Sequence, residues 1–126
     1  MRTIDEQGYH FEEWFTPEEI AKDVKQVAKK ISKDYQGKEP LFVVVLNGAF
    51  VFASDLLRAL DNVRCEVTFI RVSSYWGMSS TGKLEFIVPL QQVVENRDVI
   101  IVEDIVDTGL TIHQLKEHMR GLGASS

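Results

Sequence analysis

Two short, uninterrupted apolar runs constrain the fold of this chain more than any other feature. The first is Leu41 to Leu46 (LFVVVL), and the second, VIIV, lies in a predicted strand from Asp98 to Val102. Strands without polar residues are typical of parallel sheets that helices cover on both faces. Helical apolar spacing precedes the first run and follows both runs, at Ile20–Tyr35, Phe50–Leu60 and Thr111–Leu122. This alternation predicts an α/β fold with a mostly parallel sheet flanked by helices.

The remaining segments complete this outline. Thr16-Pro17-Glu18-Glu19 matches a helix N-cap, a first-turn proline and a capping box, so a helix is expected to begin there. We predict two further strands, Glu66 to Val72 and Lys83 to Leu90, with a loop from Ser73 to Gly82 between them. Residues 1–15 are expected to form an arm that docks on the core, 16–126.

Length and charge exclude several classes of protein. A chain of 126 residues is expected to form a single domain, 1–126. Its net charge, 14 − 19 = −5, argues against a general nucleic-acid-binding protein, which needs a basic face. No apolar run approaches 18 residues, so no membrane span is predicted, and the N-terminus lacks an apolar signal core. We therefore expect a cytoplasmic protein. A single cysteine, Cys65, excludes an internal disulfide and a cysteine-rich zinc site.

The segment that follows the second apolar run combines two kinds of chemistry. Its acidic half can hold sugar hydroxyls or the water shell of Mg²⁺. Its second half opens a helix, whose N-terminal amides attract an anion such as phosphate. A glycine there permits a positive φ or a close backbone approach. The residues concerned are Glu103, Asp104, Asp107, Thr108, Gly109 and Thr111.

A purely structural alternative exists for this segment. An Asp or Thr could cap the last helix while the other acids are simply solvated. Three acids without a cation in one turn repel one another, however, and a plain turn has no need of them. We therefore favour a site that takes a sugar phosphate with a metal ion alongside.

The segment VIIVEDIVDTGLT (99–111) resembles the phosphoribosyl-pyrophosphate signature of the type I phosphoribosyltransferases, most closely that of the hypoxanthine (or hypoxanthine-guanine) members. Two more segments are similar to that family in order and spacing. Val45–Leu56 resembles its pyrophosphate-binding turn and helix, and Ser73-Ser74-Tyr75 resembles the start of its flexible active-site loop. The resemblance covers about residues 10–123 and implies the Rossmann-like type I phosphoribosyltransferase fold.

The resemblance also implies a reaction of purine salvage. The family transfers a 5-phosphoribosyl group from phosphoribosyl pyrophosphate to purine N9, which gives a nucleoside monophosphate (IMP or GMP) and pyrophosphate and requires Mg²⁺. The transition state has oxocarbenium character. The alternative is a phosphoribosyl-pyrophosphate-binding regulator of the same fold, although the chain has no basic face or DNA-binding domain. The family also implies a homo-oligomer, a dimer or tetramer.

Roles follow from the matching positions. Glu103 and Asp104 would face the ribose hydroxyls and Mg²⁺, and Asp107 would be the catalytic acid/base at purine N7. The 5′-phosphate loop would comprise Asp107, Thr108, Gly109, Leu110 and Thr111. Asn47 and Gly48 would bind pyrophosphate after a cis Leu46–Asn47 peptide, and Ser74 and Tyr75 would belong to a loop that closes over the site.

The chain departs from the family pattern in three places. Asn47 stands where the family commonly has Lys, and Leu110 stands where a basic or polar residue is common. Backbone amides can serve at both places. The third departure is the end at Ala124-Ser125-Ser126, which we interpret as a truncation before further strands that carry purine recognition. The preference among hypoxanthine, guanine and xanthine is therefore left open.

Overall fold

The computed structural model describes residues 2–75 and 83–126. Six strands and three helices lie within these ranges. In chain order they are β1 (Thr3–Glu6), β2 (Tyr9–Glu12), α1 (Pro17–Asp34), β3 (Leu41–Val45), α2 (Phe50–Ala59), β4 (Glu66–Tyr75), β5 (Lys83–Val88), β6 (Val99–Val102) and α3 (Leu110–Gly121).

Helix α1 begins where its capping residues predict. The Thr16 hydroxyl accepts a hydrogen bond from the Glu19 amide at 3.1 Å, and Pro17 occupies the first turn. The apolar stripe then turns toward the sheet, with Ala28 fully buried and Val24 and Ile31 packed beside it. The local sequence therefore specifies the start of the helix, but its apolar spacing does not fully give the buried face, because Ile20 and Val27 are 52% and 43% exposed.

The main sheet has four strands in the order β5-β4-β3-β6. Strand β3 pairs in parallel with β4 and with β6, and β5 adds an antiparallel edge. The register places Val44 opposite Val102, so the carboxyl ends of β3 and β6 lie side by side. The predicted mostly parallel sheet is confirmed.

Alternate residues of β3 face two separate halves of the core. Phe42 and Val44 pack with residues of α1 and α2, whereas Leu41, Val43 and Val45 pack with residues of α3. All five β3 side chains are buried. Helices α1 and α2 thus cover one face of the sheet and α3 covers the other, as an apolar run of this kind requires.

Two sequence-based expectations are wrong in detail. Residues 1–15 contain a β1–β2 hairpin whose residues are all exposed, so the arm is not seen docked on the core. The predicted loop at 73–82 is wrong for its first three residues, because β4 continues through Ser73–Tyr75, paired with the start of β5. Residues 76–82 lie outside the described part of the chain. The two serines favour a loop in the sequence, but their backbone pairs with the antiparallel edge strand β5.

The last residues run along the start of β6. The Ser125 amide donates to the Arg97 carbonyl at 2.8 Å, and the Val99 amide donates to the Ser126 carbonyl at 3.0 Å. Among the helices of residues 2–75 and 83–126, none combines the length and apolar character that crossing a membrane requires.

Candidate functional site

The segment between β6 and α3 encloses a cavity of about 260 Å³. Most of the residues predicted to form the site line this one space. The lining consists of Glu103, Asp104, Ile105, Val106, Asp107, Thr108, Gly109, Thr111 and Ile112. Predicted acids and predicted anion-binding residues therefore do meet around a single cavity. Leu110 is not among the lining residues, and its amide donates to the Thr108 hydroxyl at 3.3 Å.

Gly109 lies at the end of this cavity that the sequence predicts to bind an anion. It caps α3 with a φ of 83°, a left-handed conformation that favours glycine, and no side chain caps the helix. The predicted positive φ is confirmed, and the alternative of an Asp or Thr N-cap is wrong. The Leu110 amide is bonded to the Thr108 hydroxyl, and the N-terminus of α3 lines the cavity, where the helix dipole favours negative charge.

The acidic end is a coupled pair of carboxyl groups. The Asp104 amide donates to Glu103 Oε1 at 3.0 Å, and the Ile105 amide donates to Asp104 Oδ1 at 2.8 Å. Partial burial, followed by the hydrogen bond and charge of Asp104, raises the pKa of Glu103 to about 6. A hydrogen bond from the Glu103 side chain lowers the pKa of Asp104. Below about pH 6 the pair holds one proton on Glu103, and above it both carboxylates are charged, a state that can bind hydroxyl groups or a cation.

The turn that follows β3 reaches the same acids. Its Leu46–Asn47 peptide is cis, as the resemblance implied. Beyond it, a Cβ placed on Gly48 would lie 2.8 Å from Cγ of Asp104 and closer still to its Oδ2. The two predicted binding turns thus meet where β3 and β6 end, although they lie more than fifty residues apart in the chain.

Two predicted site residues lie elsewhere in the fold. Ser74 and Tyr75 are in the last part of β4, where their backbone pairs with Leu84 and Lys83 of β5. Their predicted role as a closing loop remains a prediction.

Three lining residues, Ile105, Val106 and Ile112, carry no signal in the sequence that would have assigned them to a site. Ile105 and Val106 are 73% and 60% exposed at the cavity, which is unusual for large aliphatic side chains. Only their position between Asp104 and Asp107 marks them.

The fold and this site together define the class of protein. Residues 12–126 match the phosphoribosyl transferase domain family, and the chain belongs to that family. The hypoxanthine-guanine phosphoribosyltransferase of Aquifex aeolicus is 41% identical over 104 residues, which is 81% of this chain and 58% of that protein. The Streptococcus thermophilus enzyme of the same name is 39% identical over 113 residues, 89% of this chain and 62% of that protein.

Solved structures agree with this assignment. The hypoxanthine phosphoribosyltransferase of Staphylococcus aureus superposes with a TM-score of 0.84 at 37% identity, over 91% of this chain and 62% of that one. A variant of the Trypanosoma cruzi enzyme, in complex with the product IMP, gives 0.80 at 40% identity, over 89% and 61%. The chain spans about three fifths of the length of the relatives that it matches.

Proposed function

We propose that this chain carries the phosphoribosyl-pyrophosphate-binding part of a hypoxanthine-guanine phosphoribosyltransferase of purine salvage. The single observation that carries the proposal is the 260 Å³ cavity, where a carboxylate pair and the N-terminus of α3 face one space. The hydroxyl groups of a sugar phosphate would bind to the carboxylate pair, and its phosphate would bind to the N-terminus of α3. The names of the relatives, and the IMP bound to the Trypanosoma cruzi variant, support the same substrate class.

The 5′-phosphate would bind at the N-terminus of α3. Amides from Asp107 to Thr111 and the hydroxyls of Thr108 and Thr111 supply the donors. The Leu110 amide would exchange its bond with Thr108 for one with the phosphate. Because the lining of this cavity includes no basic side chain among the described residues, the helix dipole and backbone amides would carry the recognition.

The ribose and Mg²⁺ would lie at the acidic end. Within residues 2–75 and 83–126 there is no cluster of three or more His, Cys, Asp or Glu side chains that could hold a metal ion. A pair such as Glu103 and Asp104 still suits Mg²⁺, which keeps several waters and commonly takes one or two carboxylates together with substrate phosphates. When bound, Mg²⁺ neutralises charge that develops on the departing diphosphate.

Asp107 and the turn after β3 would serve the bond exchange. The C1′–O bond to the diphosphate breaks and its electron pair leaves with pyrophosphate, while purine N9 forms the new bond to C1′. The carboxylate of Asp107 would take the N7 proton of the purine, and the amides near Asn47 and Gly48 would hold the pyrophosphate. Ser74 and Tyr75, which lie at the end of β4, would help to exclude water from the site.

Assembly into a homo-oligomer and a cytoplasmic location belong to the same proposal. Phe50 and Val51, at the start of α2 beside the 46–48 turn, are 57% and 56% exposed. Apolar side chains on a helix surface favour contact with a second copy.

Calorimetric titration with Mg²⁺-phosphoribosyl pyrophosphate tests the proposal. Saturable binding is expected for the unsubstituted chain and strong loss for Asp104→Asn/Asp107→Asn. The matched control is Glu18→Gln/Asp34→Asn, which removes the same charge from exposed positions on α1 and should bind normally. No binding by the folded unsubstituted chain, or equal loss in both double variants, would contradict the proposed function.

A further inference from the structure

Gly48 occupies a place that the mechanism above does not explain. Its φ lies outside the left-handed region, unlike those of Gly8, Gly37, Gly109 and Gly123. Backbone conformation at this φ does not require glycine. The requirement is instead for space, because the three atoms nearest to an added Cβ all belong to the Asp104 carboxyl group.

Asp104 is exposed, and its carboxyl group can turn away from such a Cβ only by giving up a bond to the backbone. Its Oδ1 accepts the Ile105 amide at 2.8 Å, and its own amide is bonded to Glu103 at 3.0 Å. A side chain at position 48 would have to break this arrangement or push the two strand ends apart. Contacts under 3.0 Å to Cγ and Oδ2 leave no room for both groups as they stand.

The parallel register fixes this approach from the other side. Val44 of β3 lies opposite Val102 of β6. Only a few residues separate Val44 from Gly48 and Val102 from Asp104. The first turn therefore follows a fully buried strand, and the second follows Val102, the buried residue of β6. The close-packed core holds these strand ends in place.

We propose that Gly48 is a positioning residue that sets the place of the Asp104 carboxylate through the absence of a side chain. This inference rests on the proposed function, because it states that the contact with Gly48 aligns the acidic pair with ribose and Mg²⁺. Gly48 thereby links the pyrophosphate turn to the acidic end of the cavity.

A double-mutant cycle tests the link. Gly48→Ala in the native background is expected to weaken Mg²⁺-phosphoribosyl pyrophosphate binding by about ten-fold or more, and to raise the Mg²⁺ concentration that half-saturates binding. In an Asp104→Ala background, where the clashing atoms are gone, Gly48→Ala should change affinity by less than about two-fold. In an Asp104→Asn background, which keeps the shape and removes the charge, the steric effect of Gly48→Ala should persist.

The same variants can be compared by their thermal unfolding temperatures in the absence of ligand, so that the result does not depend on substrate binding. Gly48→Ala should lower Tm by several degrees in the native and Asp104→Asn backgrounds and hardly at all in Asp104→Ala. Gly121→Ala is the matched control, because nothing lies within 4 Å of its added Cβ. Equal Tm losses in all three backgrounds would overturn the inference.

The two proposals fail in different ways. Absence of binding by the unsubstituted folded chain contradicts the proposed function, while the Tm cycle still decides whether Gly48 and Asp104 are coupled. Normal binding with equal affinity losses from Gly48→Ala in every background overturns the positioning role and leaves the proposed function intact.

Discussion

Strands β3 and β6 have nearly the same composition and very different surroundings. LFVVV and VIIV are both purely aliphatic or aromatic, they pair in parallel, and each ends at a turn that is predicted to bind substrate. Every side chain of β3 is buried, whereas in β6 only Val102 is. The difference arises because β3 has a strand on either side, while β6 has β3 on one side and, at its start, the backbone of Ser126.

Position in the sheet, and not composition, thus decides how much each strand contributes to stability. The central strand receives contacts from both helical layers and from two neighbouring strands. At the edge, part of each side chain and part of the backbone remain open to solvent. The turns that follow these two strands meet at Gly48 and Asp104, so one turn follows a fully buried strand and the other follows a strand that has only one strand neighbour.

The largest effect is expected from a matched pair of valines. Val43→Ala in β3 should lower the free energy of unfolding by about 2–3 kcal/mol, because a fully buried side chain loses contacts and leaves a cavity. Val99→Ala in β6 should cost about 1 kcal/mol, since its side chain is only partly buried. Denaturant unfolding of both variants measures the difference. Equal losses would mean that another surface covers the β6 edge in solution.

A backbone change at the edge should have a smaller effect. Ser125→Pro removes the amide that donates to the Arg97 carbonyl, at a cost of about 0.5–1.5 kcal/mol. The Val99 amide donates the neighbouring hydrogen bond, to the Ser126 carbonyl, so hydrogen exchange at Val99 should become faster. Ser125→Ala keeps the amide and is the control. Unchanged exchange in the proline variant would show that these bonds do not hold the edge of β6.

The turn that follows β6 should add a weak pH dependence to stability. The ordinary pKa of Glu103, 4.5, is raised to about 6 in the folded chain, chiefly by burial. The folded state then binds more protons than the unfolded state between these values, so stability should fall as pH rises from 4.5 through 6. Because Glu103 is only partly buried, solvent screening should reduce the loss to below about 1 kcal/mol.

Asp104 should act in a different window and with the opposite sign. Its pKa is lowered from 3.8, so it stabilises the fold above that value and loses this effect only at lower pH. Glu103→Gln should therefore abolish the decline between pH 4.5 and 6 in metal-free denaturant unfolding. A decline that persists in this variant would assign it to other groups.

Features that depend on neighbours in the chain could be predicted from the sequence. Thr16, Pro17 and Glu19 specify the start of α1, and Gly109 specifies the positive φ before α3, because each acts within one helical turn. The order of acids and hydroxyls from 103 to 111 likewise predicted a shared cavity, since one short segment cannot place them far apart.

Features that depend on contacts between distant parts of the chain could not be predicted from the sequence. Whether an apolar strand is central or at an edge is decided by its partners, so β3 and β6 look alike in sequence. The extension of β4 to Tyr75 depends on its pairing with β5. Contact between Gly48 and Asp104 is a property of two turns brought together only by the register of the sheet.

The register of β3 and β6 has a consequence for how the site assembles. A slip of one residue would move one turn past the other by about 3.3 Å and would turn every side chain of the strand to the opposite face. Such a slip would expose half of the core, so burial of Phe42 and Val44 selects the same alignment that brings Gly48 to Asp104. Packing of the apolar core thus determines the distance between the Gly48 turn and Asp104.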